Sequence, residues 1–134
     1  MNLTIFTDGG ARGNPGPAGI GVVFLDQAQN IIGRHKKYIG EATNNVAEYK
    51  ALILALEQAL VIGAEDLNIN MDSELVVRQM QGKYKIKEPT LQLLAKDVIE
   101  LMNKFKNVGF HHVARELNKE ADKLVNIAID EAVQ

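Results

Sequence analysis

Apolar and polar positions alternate from Asn2 to Thr7, and the alternation gives way at Asp8 to a run dominated by glycine, proline and asparagine that lasts to Gly19. The first pattern predicts a strand over 2–7 and the second a loop. Residues 19–26 (GIGVVFLD) and 31–39 (IIGRHKKYI) read as two further strands joined by a polar turn at 27–30, an antiparallel meander. At Thr43 the period lengthens. Val46, Tyr49, Leu52, Ile53, Leu56 and Leu60 recur at steps of three and four, which predicts a long helix capped by Thr43 or the adjacent Asn and stopped at Gly63.

Beyond Gly63, Leu67, Ile69 and Met71 alternate in a short strand ending at Asp72, and Ser73 is placed to cap a helix running to about Gln81. Pro89 and Thr90 open an amphipathic helix to about Phe105; residues 107–113 form a last strand, and Asn118 caps a final helix to about Ala132. The order β-β-β-α-β-α-α-β-α implies an α/β fold. Its five-stranded mixed sheet has three antiparallel strands followed by parallel ones, flanked by helices. No repeat or linker interrupts the pattern, so residues 1–134 read as a single domain.

Composition changes this picture in three ways. With 46% apolar residues and 3 prolines in 134, one ordinary hydrophobic core is expected. The absence of cysteine leaves only oxygen or imidazole ligands for any metal, and no segment approaches the roughly 18 uninterrupted apolar residues of a membrane span. A cytoplasmic monomer is the expectation. The net charge of -2 is not that of a protein held on nucleic acid by bulk charge, so any such binding requires local positive charge.

Four acidic residues stand at unusual places. Asp8 and Asp72 end strands, while Glu48 and Asp122 lie in the first turns of helices. Strand ends and the starts of overlying helices converge on one sheet edge, where α/β folds place their sites. Each has an ordinary reading too: an Asx turn for Asp8, a helix cap for Asp72-Ser73, a capping-box partner for Glu48. Gathered together, four carboxylates repel unless protons or cations neutralise them. Magnesium suits such a set, because it prefers oxygen ligands and retains waters.

The segments TDGGARGNPGPAG (7–19), TNNVAEYKAL (43–52), MDSE (71–74) and HVARELNKEADKL (112–124) resemble the four signature blocks of the type 1 ribonuclease H family, in order and over nearly the whole chain. The resemblance implies a ribonuclease H-like fold that hydrolyses the RNA strand of RNA/DNA hybrids. It further implies that Asp8, Glu48, Asp72 and Asp122 hold two magnesium ions, with manganese as a substitute. Cleavage would proceed by in-line attack of water and leave 5′-phosphate and 3′-hydroxyl ends. By the same resemblance Asn14, Asn44 and Asn45, beside Thr43, contact the hybrid in its minor groove, where the 2′-hydroxyl marks RNA.

The chain departs from the family pattern at several positions. Better-studied bacterial members carry a histidine on a mobile loop before the last helix. Here the compact HVAREL segment offers Arg115, which binds phosphate through its planar fork but is no base. His111 and His112 are adjacent in a strand and therefore face opposite sides. Glu74 stands where many members have glutamine and is expected as a substrate contact or a charge near the metals, and Glu41 stands where some have a basic residue near a DNA phosphate. Asn118 lies four residues before Asp122, on the same helix face, as a cap or a substrate contact. With no basic handle, Arg78 and the run Lys83-Tyr84-Lys85-Ile86-Lys87 remain to follow the DNA backbone.

Three other readings compete: a non-catalytic hybrid-binding module of the same fold, a nuclease acting on double-stranded RNA or DNA junctions, and a dinucleotide-binding loop at GGARGNPG. The last lacks G-x-G-x-x-G spacing and a following helix.

Overall fold

A computed structural model describes residues 1–133. Its elements are β1 (Asn2–Ala11), β2 (Gly16–Leu25), β3 (Ile31–Ala42), α1 (Asn44–Val61), β4 (Asp66–Met71), α2 (Glu74–Met80), α3 (Pro89–Met102), β5 (Asn107–His112) and α4 (Lys119–Ala132), with a 3₁₀ turn at Arg115–Leu117 before α4. The sheet order is β3-β2-β1-β4-β5. The pairs β1–β2 and β2–β3 are antiparallel, and β1–β4 and β4–β5 are parallel. The expected five-stranded mixed sheet is therefore the observed one.

The first hairpin differs from expectation in extent. The glycine-rich run was expected as loop, yet β1 continues through Asp8, Gly9 and Gly10 to Ala11, in register with Gly21, Ile20, Gly19 and Ala18 of β2. Only residues 12–15 turn, with Gly13 at φ +97°. These strand glycines serve close packing. A Cβ on Gly9 would lie 2.3 Å from the backbone of Ala47 in α1, and one on Gly21 would lie 2.4 Å from the carbonyl oxygen of Ala121 in α4. A glycine inside a strand marks such close backbone approach.

The two glycines also identify the faces: α1 crosses one side of the sheet and α4 the other. Leu3, Ile5, Val22 and Phe24 point to the α1 side, where they bury with Tyr49, Leu52 and Leu56 and with Val98 of α3. Val23 points to the α4 side, against Ala121 and Leu124. Pro89 opens α3, as expected, but the helix ends at Met102 rather than Phe105, unwinding through turns in which Lys104 and Phe105 donate to Leu101 and Met102. Among the described residues no helix is long and apolar enough to cross a membrane.

Candidate active site

The carboxylates converge as the topology requires. Pairing in parallel beside β1, β4 delivers Asp72 just past its last residue, next to Asp8 of β1. Asp8 is not the last residue of its strand, as the sequence suggested; three paired residues follow it. Its Cα partner is Gly21, whose missing side chain lets α4 come close and bring Asp122 alongside. On the opposite side, contact between Gly9 and α1 brings in Glu48, whose Oε1 accepts a 3.0 Å hydrogen bond from the Gly9 amide.

Oxygens of Asp8, Glu48 and Asp72 lie within 4.8 Å of one another. Asp122 lines the same cavity of about 490 Å³ and does not belong to that tight trio. Asp8 and Glu48 are 8% and 7% exposed, which fixes their electrostatics. Burial, then the charges of Asp72 and Asp122, push Asp8 up to about 8. Burial, then the charges of Asp8 and Asp72, hold Glu48 well above the usual carboxylate range, against the opposing Gly9 amide. Asp72 is raised by burial and held down in part by the amide of Asn118 and the guanidinium of Arg115. Two buried carboxylates and the half-buried Asp72, mutually repelling oxygen donors, fit a divalent, oxygen-preferring cation.

The remaining predicted residues divide by location. Arg115, in the 3₁₀ turn, and Asn44 line the cavity with the carboxylates. Thr43 caps α1 as expected, its Oγ1 accepting from the Val46 amide. Asn14 Oδ1 accepts from the Asn44 amide, and Asn44 Oδ1 from the Ala11 amide, both at 2.9 Å. Asn45 is half-buried in the first turn of α1 and does not line the cavity.

One expectation is corrected, the side-chain cap of α4. Asn118 is positioned as N-cap of α4, but its side chain makes no cap bond; it is 1% exposed, and its amide donates to the carbonyl of Thr7 at 2.9 Å. A β1 carbonyl outcompetes the helix amides, because burial leaves that carbonyl no water partner. Glu74 does not line the cavity and instead faces His112 Nδ1 at 3.6 Å. Arg12, which carried no expectation, does line it. The signal lay in its position, one residue past the end of the strand that carries Asp8.

Residues 6–128 match the family described as reverse transcriptase-like. LC11-RNase H1, from compost and solved in complex with RNA/DNA hybrid, is 51% identical with a TM-score of 0.95, over 98% of this chain and 99% of that one. The chain belongs to the type 1 ribonuclease H family. RNase H1 of the archaeon Halobacterium salinarum shares 39% identity with a TM-score of 0.96, over 98% of this chain and 99% of that one. A Mycobacterium tuberculosis protein described as bifunctional is 44% identical over 100% of this chain. This chain spans only 37% of that relative's length. A ribonuclease H of Ruthia magnifica is 32% identical over 96% of this chain and 95% of its own.

Proposed function

We propose that this chain is an endoribonuclease that hydrolyses the RNA strand of RNA/DNA hybrids. The convergence of Asp8, Glu48 and Asp72 beside Asp122 is the observation that carries this reading, together with the hybrid seated on LC11-RNase H1. Two magnesium ions held by these four carboxylates, or manganese in their place, would supply the positive charge that offsets the attacking and leaving oxygens of a phosphodiester.

The protein's own part is positional. The carboxylates fix the charge centre at the strand edge, and Arg115 places a planar fork of donors beside it for a phosphate. Asn14, Asn44 and Asn45, with Thr43 fixing the start of α1, meet the minor groove and its 2′-hydroxyls. Glu74 acts at a distance, by orienting His112. Asn118 serves as a strut between β1 and α4. Water attacks phosphorus in line, the P–O3′ bond breaks, and the fragments carry 5′-phosphate and 3′-hydroxyl ends. The exposed Lys83, Lys85 and Lys87 add backbone attraction, and the chain acts as a cytoplasmic monomer.

Cleavage of an end-labelled RNA/DNA hybrid, beside matched double-stranded RNA and DNA, with magnesium or manganese and an Asp8→Asn control, tests the reading. Hybrid-selective cutting that needs metal and disappears in the control is expected. Binding without cutting at every metal concentration would replace it with a non-catalytic module, and preferential cutting of double-stranded RNA would reassign the substrate.

A further inference from the structure

Arg12 is the one cationic group of the cavity wall that the proposed chemistry leaves without a task. It sits one residue beyond β1, and the carbonyl of Pro17 holds its backbone amide at 2.8 Å. Its guanidinium is fixed on α4. One terminal nitrogen lies 2.7 Å from Asp130 Oδ1, and the other 3.3 Å from Asn126 Oδ1 and 3.5 Å from the Asn126 carbonyl. Asn126 in turn donates to the backbone carbonyl of Asp122 at 3.0 Å. The side chain remains 42% exposed, and Arg12 and Asn126 line the cavity that holds the carboxylates.

This arrangement is more than a surface ion pair. Exposed pairs contribute little to stability, and a guanidinium has five donors in a rigid fork. Asp130 and Asn126 occupy one edge of that fork and leave other donors free. A cation held still at the rim of an acidic cleft is pre-oriented for an anion, so ordering costs are met before binding. Arg115 stands near Asp72, whereas Arg12 is anchored along α4 by Asn126 and Asp130, and a nucleic-acid strand crossing the carboxylates presents phosphates on either side of the one being cut.

We propose that Arg12 is a phosphate-binding residue that grips the backbone phosphate next to the one over the carboxylates, and that Asp130 and Asn126 are its positioning residues. The inference rests on the hybrid-cleaving reading and adds to it a named contact. Bidentate geometry favours arginine here, because lysine cannot reach a phosphate and two α4 partners with one planar fork.

Binding of a short fluorescent RNA/DNA hybrid is measured against salt in the Asp8→Asn background, with magnesium present and melting temperatures recorded for each variant. Arg12→Ala weakens binding several-fold, and its log affinity against log salt is shallower by about 0.9, one phosphate contact. Arg12→Lys keeps the parent slope with reduced affinity. Arg12→Ala with Asp130→Asn restores the parent's net charge, and it still shows the shallower slope, because the contact is lost. A parent slope in Arg12→Ala, or its recovery in the charge-balanced double variant, overturns the inference and leaves hybrid binding intact. Failure of the Asp8→Asn protein to hold the hybrid at any salt overturns both the inference and the proposed function.

Discussion

The side-chain amide of Asn118 donates to the carbonyl of Thr7 across 111 residues of chain, at 2.9 Å. Thr7 immediately precedes Asp8, and Asn118 immediately precedes the helix that carries Asp122. One hydrogen bond thus ties together the carriers of two carboxylates. Around it, Asn118 Oδ1 and Thr7 Oγ1 are buried without a partner.

Those two orphans give the bond a distinctive mutational signature. Asn118→Ala leaves the Thr7 carbonyl unpaired in a dry environment and is expected to cost about 2 kcal/mol. Because the same amide holds Asp72 down, magnesium affinity falls as well. Thr7→Val keeps the shape and removes a hydroxyl that bonds nothing, so it is neutral or stabilising by up to about 1 kcal/mol. Urea midpoints at constant m-value check both, and equal losses in the two variants would contradict the account.

The carboxylate cluster makes the metal-free protein weaker as the solution becomes more alkaline. Between the ordinary 3.8 and about 8, folded Asp8 keeps a proton that the unfolded chain releases. The native state binds more protons there, so stability is greatest below that window and is lost as pH rises through it. The melting temperature without metal is expected to fall by several degrees from pH 5 to pH 8, and the rise produced by magnesium to grow over the same range. Asp8→Asn flattens the metal-free profile while abolishing cutting. Calorimetry with and without chelator provides the measurement.

Close approach of both helices to the sheet has its own test. Gly21→Ala drives a methyl group into the Ala121 carbonyl oxygen, and Gly9→Ala drives one into the backbone of Ala47, so each moves a helix that carries a carboxylate. Losses of about 1–3 kcal/mol with weakened metal binding are expected. At Gly10 the nearest atom is a Val125 methyl 3.7 Å away, an ordinary contact, and Gly10→Ala is tolerated. Similar melting temperatures for all three would remove the packing argument.

Much of this was readable from periodicity. Helix α1 declares itself by its spacing and its Thr43 cap, and the strand order follows from a hairpin meander continued by crossovers. The hairpin's true length was not readable, because glycine is read locally as a turn signal, whereas at Gly9 and Gly21 it answers to helices that pack across the sheet. Asn118 was misread for a related reason. A helix-initial asparagine predicts a cap, and only the folded sheet reveals the unpaired carbonyl that takes its amide. Asp8, Glu48 and Asp72 were legible because their positions at strand ends and helix starts survive a few residues of boundary error. The tether of Arg12 to Asp130 joins residues from opposite ends of the chain and leaves no local trace.

Asn14 and Asn44 present a last, sharply divided case. Each side-chain oxygen already accepts from a backbone amide, so the orientation of both amide groups is fixed by chemistry. Among the described residues neither side-chain nitrogen has a protein acceptor, and both residues are exposed. They therefore offer donors outward. The minor groove offers acceptors at every base pair, which suits recognition independent of sequence. Asn14→Asp and Asn44→Asp keep the internal acceptor and delete the outward donor. Melting temperatures are expected to hold while the KM for hybrid rises about tenfold, equivalent to about 1.4 kcal/mol. The added negative charge also repels phosphate, but salt screens that part, so the donor's share is what persists at high salt. A fall in melting temperature with an unchanged KM would make the pair a structural clasp between the loop and α1 and nothing more.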